Sequence, residues 1–258
     1  MQRSSDEAVI CAWLARCLGR GDIAPLSWRD VGGLSGCRAW NCAVAHESLF
    51  LKLYSPGFDD YSRLGPVDTA RKHALALDEL PRFGVPAPRC LGFAAEHDEA
   101  ALVTEWLIAS PFAPAHRVEA ARVLARLQAL RLPDLSPELA ALISRSTPNR
   151  GRIGEAPDEP QLTETTLQHG DYYSVNLVAG RDTVSVLDWD LLAVGDPMWD
   201  LGLLLCADRS VTEEEAAAVI AAYEEIHPAA TERLLWHRRC WQSFWDERDR
   251  RGRRSREA

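Results

Sequence analysis

Three runs of acids, an amide and aromatic residues carry the chemistry that this chain can do. They are His169-Gly170-Asp171-Tyr172-Tyr173-Ser174-Val175-Asn176, then Leu187-Asp188-Trp189-Asp190, then Gly195-Asp196-Pro197-Met198-Trp199-Asp200-Leu201-Gly202. Carboxylates at the ends of apolar strands cost several kcal/mol to desolvate unless a cation receives them, so a cluster of them implies a partner. A divalent metal is the natural one. Magnesium takes oxygen ligands from one or two protein groups and fills its other positions with waters and substrate phosphates. Asn176 and Asp188, read as lying on neighbouring arms of a hairpin, suit that ligand set.

The order Asp171, Asn176, Asp188 follows that of the catalytic-loop acid, metal amide and metal acid of protein kinases. HGDxxxxN, DWD and GDPxWDLG together resemble the aminoglycoside phosphotransferase and choline kinase family, over roughly residues 26–205. The resemblance implies an α+β, two-lobed, protein-kinase-like fold with a small antiparallel-sheet lobe and a larger helical one. It also implies transfer of the terminal phosphate of ATP, with Mg2+, to a hydroxyl of a small molecule. Asp171 looks like the catalytic base, Asn176 and Asp188 like the metal ligands, and Asp190 like the family's second acid of that motif. Asp200 begins a helix, where a carboxylate accepts backbone N–H bonds, and the resemblance makes it a brace for the catalytic loop.

The first half supplies the donor site. Of 29 basic residues only Lys52 and Lys72 are lysines, and Lys52 interrupts the apolar run Leu49-Phe50-Leu51-Lys52-Leu53-Tyr54. An ammonium is a point charge suited to phosphates, and kinase-like folds place it on the third strand after a glycine loop. A lysine snorkelling from an edge strand is the competing reading. Gly32-Gly33-Leu34-Ser35-Gly36 is the expected phosphate lid, with Gly33, Ser35 and Gly36 facing the nucleotide, although it lacks GxGxxG spacing. By resemblance, Glu105 and Leu107 belong to the hinge whose backbone meets adenine, with Trp106 between them either there or in packing. One position departs from the family: His73 stands where the helix acid that pairs with the strand lysine is usual. Asp68 lies about 140° and Glu79 about 240° around the helix from His73, so neither replaces it from the same face. Lys52 is therefore expected to rely on Asp188 and the phosphates, with His73 either an acceptor or a buried histidine satisfied by backbone.

These groups need a frame. Alternation of apolar and polar residues predicts strands at 26–31, 37–45, 49–54, 89–94 and 101–107, with a helix from Val67 to near Gly84. An amphipathic helix is expected over Ala8–Ala15, ending at Gly19. From Pro114 the period becomes helical, Ser136-Pro137-Glu138 reads as a helix start, and residues 148–165 as a mobile connection. Short strands flank a turn at 179–182, helices follow at about 198–207, 212–226 and 230–249, and the Arg-rich end is expected to fray. Trp236, Trp241, Phe244 and Trp245 fall on helical spacing and read as core, in helices that line the acceptor pocket in the family. The division is a nucleotide-binding lobe at 1–107 and a helical lobe with catalytic loop and acceptor site at 108–258.

The 258 residues are 47% apolar, enough for a sizeable core, and carry a net charge of -9, which argues against a nucleic-acid binder. Seven scattered cysteines without a CxxC pair argue against a disulfide framework or structural zinc. Asp6 and Glu7 ahead of the first apolar run argue against a signal peptide, no stretch is apolar enough to cross a membrane, and the expected location is the cytoplasm. Two other readings are a nucleotide-binding regulator without turnover, prompted by His73 and the irregular glycine loop, and a protein kinase. The first is opposed by the complete motifs, the second by HGD in place of HRD and the lack of an activation segment between Asp190 and Gly195. Residues 155–215 hold fourteen acids against Arg181 and Arg209, a balance of -12 that favours a cationic or neutral acceptor, such as an aminoglycoside-like or choline-like alcohol.

Overall fold

The structure, a computed structural model, describes residues 2–21, 23, 25–32, 37–57, 63–110, 112–148, 158–180, 183–208 and 210–257. Its first half is built on β1 (Ser27–Asp30), β2 (Arg38–Val44), β3 (Glu47–Tyr54), β4 (Cys90–Glu96) and β5 (Glu99–Glu105). All neighbours are antiparallel, in the order β1-β2-β3-β5-β4. The hairpins β2–β3 and β4–β5 turn through Ala45 and His97, both at positive φ.

Alternation along β3 divides its side chains between two layers. Leu49, Leu51 and Leu53 join Trp40, Ala101 and Val103 beneath α1 (Gln2–Leu18), whose Ile10, Trp13, Leu14 and Cys17 form the buried stripe. The end of α1 lies so close to β4 that a Cβ on Gly92 would stand 2.0 Å from the Cys17 carbonyl oxygen. Lys52 and Tyr54 take the other face. There the sheet meets α2 (Pro66–Glu79) and the helical half, and Tyr54, Leu77, Leu80 and Leu102 share one core with Ala120, Leu124, Leu167, Trp189 and Leu201. Because β3 is central, with Lys52 opposite Ala39 on one side and Leu102 on the other, the lysine does not stand on an edge strand.

The second half contains α3 (Pro114–Ala129), α4 (Pro137–Arg145), β6 (Thr166–Gln168), β7 (Leu177–Ala179), β8 (Val184–Val186), β9 (Ala193–Gly195), α5 (Pro197–Cys206), α6 (Glu213–Glu224) and α7 (Thr231–Glu257). Strands pair as β6–β9 and β7–β8, α3 packs on α6, and α5 packs on α7. Ser136 caps α4 by accepting the Leu139 N–H, and Asp196 caps α5 by accepting the Met198 N–H. Trp236 and Trp241 are buried, as their spacing implies.

Most expected elements are present, with informative differences. Helix α1 begins at Gln2 rather than Ala8, and α7 continues through the Arg-rich end, whose residues are mostly good helix formers, to Glu257. Strand β5 stops at Glu105, the partner of Leu49, although the Trp106 N–H still reaches the Ser48 carbonyl at 3.0 Å. The β6–β9 pair was not expected from sequence. Gly33, Leu34, Ser35 and Gly36 of the expected phosphate lid lie outside the described residues, as do 149–157 of the expected connection and the turn residues Arg181 and Asp182. Among the described residues no helix is long and apolar enough to cross a membrane.

Candidate active site

The β6–β9 pair launches the loop that carries HGDxxxxN. Its path needs Gly170, which sits at φ 88° and whose absent Cβ would lie 2.7 Å from the Leu191 Cβ. The Asp200 carboxylate, in the first turn of α5, accepts the His169 N–H at 2.7 Å and the Gly170 N–H at 2.9 Å. The Trp199 indole donates to the Gly170 carbonyl at 3.2 Å. The expected bracing geometry is thus present. Burial pushes the Asp200 carboxyl up to about 7 against the pull of the two N–H bonds.

His169 is buried and holds both flanks of the site. Its Nδ1 accepts the Asp171 N–H at 3.2 Å, so Nε2 carries the proton and donates to the Leu187 carbonyl at 2.8 Å. Burial depresses its basicity to about 4, with the Leu187 carbonyl opposing. Trp189 and Tyr172 meet its ring edge to face. The loop then folds back on itself. The Asn176 amide nitrogen donates to the Asp171 backbone carbonyl at 2.9 Å and to its carboxylate Oδ2 at 3.0 Å. That fixes the amide with its Oδ1 on the opposite side from Asp171. The Leu187 N–H on the Asn176 carbonyl, at 2.9 Å, draws Asp188 alongside.

Lys52 closes the site from β3. Its ammonium donates to Asp188 Oδ1 at 2.7 Å and Asp190 Oδ2 at 2.6 Å. Burial works against the charged lysine, but the two carboxylates outweigh it and hold the group above the ordinary lysine range. Asp190 is pushed up by its own burial and pulled further down by Lys52 and His73, so it stays ionised. Its other oxygen, Oδ1, takes the Tyr54 hydroxyl at 2.7 Å and His73 Nδ1 at 2.9 Å. His73 therefore meets Asp190, and this carboxylate stands between the histidine and Lys52. The expected acceptor role of His73 toward Lys52 is replaced, because a nitrogen bonded to a carboxylate must donate. Tyr54 was missed, although its place two residues from Lys52 on one strand put both on one face.

A metal fits one of these acids and not the other. The Asp190 side chain is 11% exposed with both oxygens engaged, whereas that of Asp188 is 42% exposed and, among the described residues, bonded only to Lys52. A hard cation takes carboxylate and amide oxygen, so Asp188 and Asn176 Oδ1 form the fitting pair. His73, Asp188 and Asp190 also place ligand atoms within 4.8 Å of one another, but the Lys52 ammonium already serves the two carboxylates there. At the hinge, the Glu105 carboxylate accepts the Arg89 N–H at 2.8 Å, its backbone carbonyl accepts the Thr104 hydroxyl at 3.0 Å, and Trp106 stacks obliquely on Phe50. Leu107 follows, half-buried, beyond the strand.

The acidic window is less bare in space than in sequence. Arg117 reaches Asp208 and Glu215, Arg238 reaches Glu213, and Arg233 reaches Asp196 and Glu159; all three arginines come from outside the window. His237 adds a 2.6 Å contact to Asp196.

The sheet-and-helix half, the helical half and the loop between them define a kinase-like α+β fold. The model of the phosphotransferase enzyme family, APH, matches residues 35–237, and the chain belongs to that family. No curated protein matches the sequence. Among solved structures, the choline kinase LicA from Streptococcus pneumoniae gives a TM-score of 0.65 at 15% identity, covering 94% of this chain and 90% of that one. Spectinomycin phosphotransferase APH(9)-Ia, solved with ADP and spectinomycin, gives 0.63 at 13% identity over 91% and 85%. The amicoumacin kinase hAmiN, solved with AMP-PNP and Ca2+, gives 0.63 at 11% identity over 95% and 88%. At these identities the likeness is one of fold.

Proposed function

We propose that this chain transfers the γ-phosphate of MgATP to a hydroxyl of a small molecule. The observation that carries the reading is the convergence of Lys52, Asp188 and the bonded Asp171–Asn176 pair, delivered by three separate elements. Asp171 orients the acceptor hydroxyl and receives its proton, with the Asn176 amide holding the carboxylate in place. Asn176 Oδ1 and Asp188 would hold magnesium, which when bound draws charge from the phosphates. Lys52, Gly33, Ser35 and Gly36 fix the phosphates, and the backbone of Glu105 and Leu107 the adenine. This is catalysis by positioning and charge neutralisation. The nucleotide-bound relatives of the same fold support the donor class.

The regulator reading loses the motive it drew from His73, since Lys52 has a carboxylate partner in Asp190 even though His73 replaces the helix acid. The protein-kinase reading has little room, because α5 starts at Pro197 directly after β9. Even with the arginines reaching in, the site contributes Asp171, Asp188 and Asp190 against Lys52, and ATP adds negative charge. An amine-bearing or neutral alcohol is thus preferred to an acidic one. The test is turnover of MgATP with matched amine-bearing, neutral and acidic alcohols at low and high salt, beside Asp171→Asn. The expected result is an amine preference that shrinks with salt, and a loss of roughly 10² to 10⁴ in kcat for the variant with nucleotide affinity kept. No turnover with any alcohol, or an unimpaired variant, rejects the reading.

A further inference from the structure

We propose that Asp190 is the fixed anchor of Lys52, a positioning residue that does from the DWD turn what an acid on α2 would otherwise do, and that Tyr54 and His73 exist to hold it. The proposal rests on the phosphotransfer reading above.

The two acids that touch Lys52 are built differently. Asp188 is the exposed one, and its backbone sits in the left-handed region at φ 59°. Asp190 is buried, and its two oxygens serve different groups. Oδ2 takes Lys52, and Oδ1 takes the Tyr54 hydroxyl and His73 Nδ1. Tyr54 and His73 are themselves 2.9 Å apart. Because the hydroxyl donates to the carboxylate, the single Nδ1–H of His73 is shared between Asp190 Oδ1 and the Tyr54 oxygen, a three-centre bond that closes a ring of the three groups. Such a ring over-determines one carboxylate from three elements. Strand β3 supplies both the lysine and Tyr54, α2 supplies His73, and the turn after β8 supplies the acid.

The segment carrying Asp190 is held a second time by the neighbour of His73. Lys72, fully buried, donates to the Leu192 carbonyl at 2.8 Å and the Ser146 hydroxyl at 2.9 Å. Consecutive residues of α2 thus grip positions 190 and 192, so the placement of α2 reaches Lys52 through Asp190. Charge gives the same division. One ammonium faces two carboxylates; if Asp190 neutralises Lys52, the charge of Asp188 is left for a metal. Lys52 keeps its position when Asp188 turns to that ligand.

Moving the carboxylate tests this. Asp190→Asn removes the anchor, His73→Glu adds one from α2, and the double variant relocates it. The anchor predicts that Asp190→Asn lowers kcat/KM for MgATP by roughly 10²-fold, mostly through KM, that His73→Glu alone lowers it by setting a second carboxylate against Asp190, and that the double variant recovers most of the loss. A residue that only stabilises the fold would not be rescued in this way. A second readout needs no turnover. With only two lysines in the chain, 15Nζ spectra of lysine-labelled protein contain two ammonium signals, and Lys52→Arg identifies one. In wild type the Lys52 signal should persist on adding Mg2+ with a non-hydrolysable ATP analogue. In Tyr54→Phe, which removes one hydroxyl at nearly constant volume, it should exchange faster with solvent. A double variant no better than the worse single one, or a Lys52 signal indifferent to Tyr54→Phe in folded protein, overturns the proposal. Absent turnover in wild type would instead strike the phosphotransfer reading, and the nucleotide-free spectra would still decide the anchor.

Discussion

Asp188 and His169 show how single residues in this site carry measurable burdens. The left-handed backbone at Asp188 makes Asn the informative substitution, because Asn tolerates that conformation and keeps the side-chain shape while losing the charge. Asp188→Asn should abolish the magnesium-dependent part of stabilisation by ATP, worth about 2.7 kcal/mol at a hundredfold excess over Kd. Thermal melts with ATP, with and without magnesium, read this directly, and an undiminished magnesium-dependent shift removes Asp188 from the metal site. His169 gives a pH dependence. Its folded basicity of about 4 lies below the ordinary 6.5, so between these values the unfolded chain binds a proton that the native one refuses. The stability it contributes is complete above pH 6.5 and falls away, by up to about 3 kcal/mol, as pH drops toward 4. Denaturant titrations at pH 7 and pH 4.5 should show this loss in wild type and a smaller one in His169→Asn.

Between elements, α1 and β4 approach backbone to backbone at Gly92. The Cys17 carbonyl oxygen stands 2.0 Å from where a Gly92 Cβ would be, and a backbone carbonyl at a helix end cannot swing aside as a side chain can. Gly92→Ala should therefore destabilise the protein by about 2 kcal/mol, the range of an overpacked core. Equilibrium unfolding at wild-type stability would show that α1 is not seated there. Elements long enough to show a period were legible in the sequence: β2 and β3 lie within two residues of expectation, and α2 and α3 start within one residue of it but end earlier, at Glu79 and Ala129. Strands β6 and β9, three residues each, are too short to show alternation and are recognisable only by their pairing with each other. The same limit applies to the site. The motif acids and Lys52 stood out by type and spacing, and bracing of the loop by Asp200 was implied by the family resemblance. The Asp190 ring could not, because it depends on which faces of β3 and α2 meet across the molecule.

At the scale of the whole chain, the sheet separates two cores of different reach. The one beneath α1 is confined to the first half, whereas the inner one runs from Tyr54 and Leu77 through Leu124 and Leu167 to Tyr223 and Trp241. A core shared in this way couples the halves, so calorimetry should show one unfolding transition, and two resolved transitions would contradict the shared core. The lysines add a consequence for how that opening can be watched. Both are buried, Lys52 in β3 against Asp188 and Asp190 and Lys72 in α2 against Ser146 and Leu192 of the second half. The other 27 of the 29 Lys and Arg residues are arginines, so the described surface presents guanidinium groups and no lysine ammonium. A lysine-specific protease accordingly meets no peptide bond it can cut until the seam between the two halves has parted, and its cleavage rate becomes a clock for that parting.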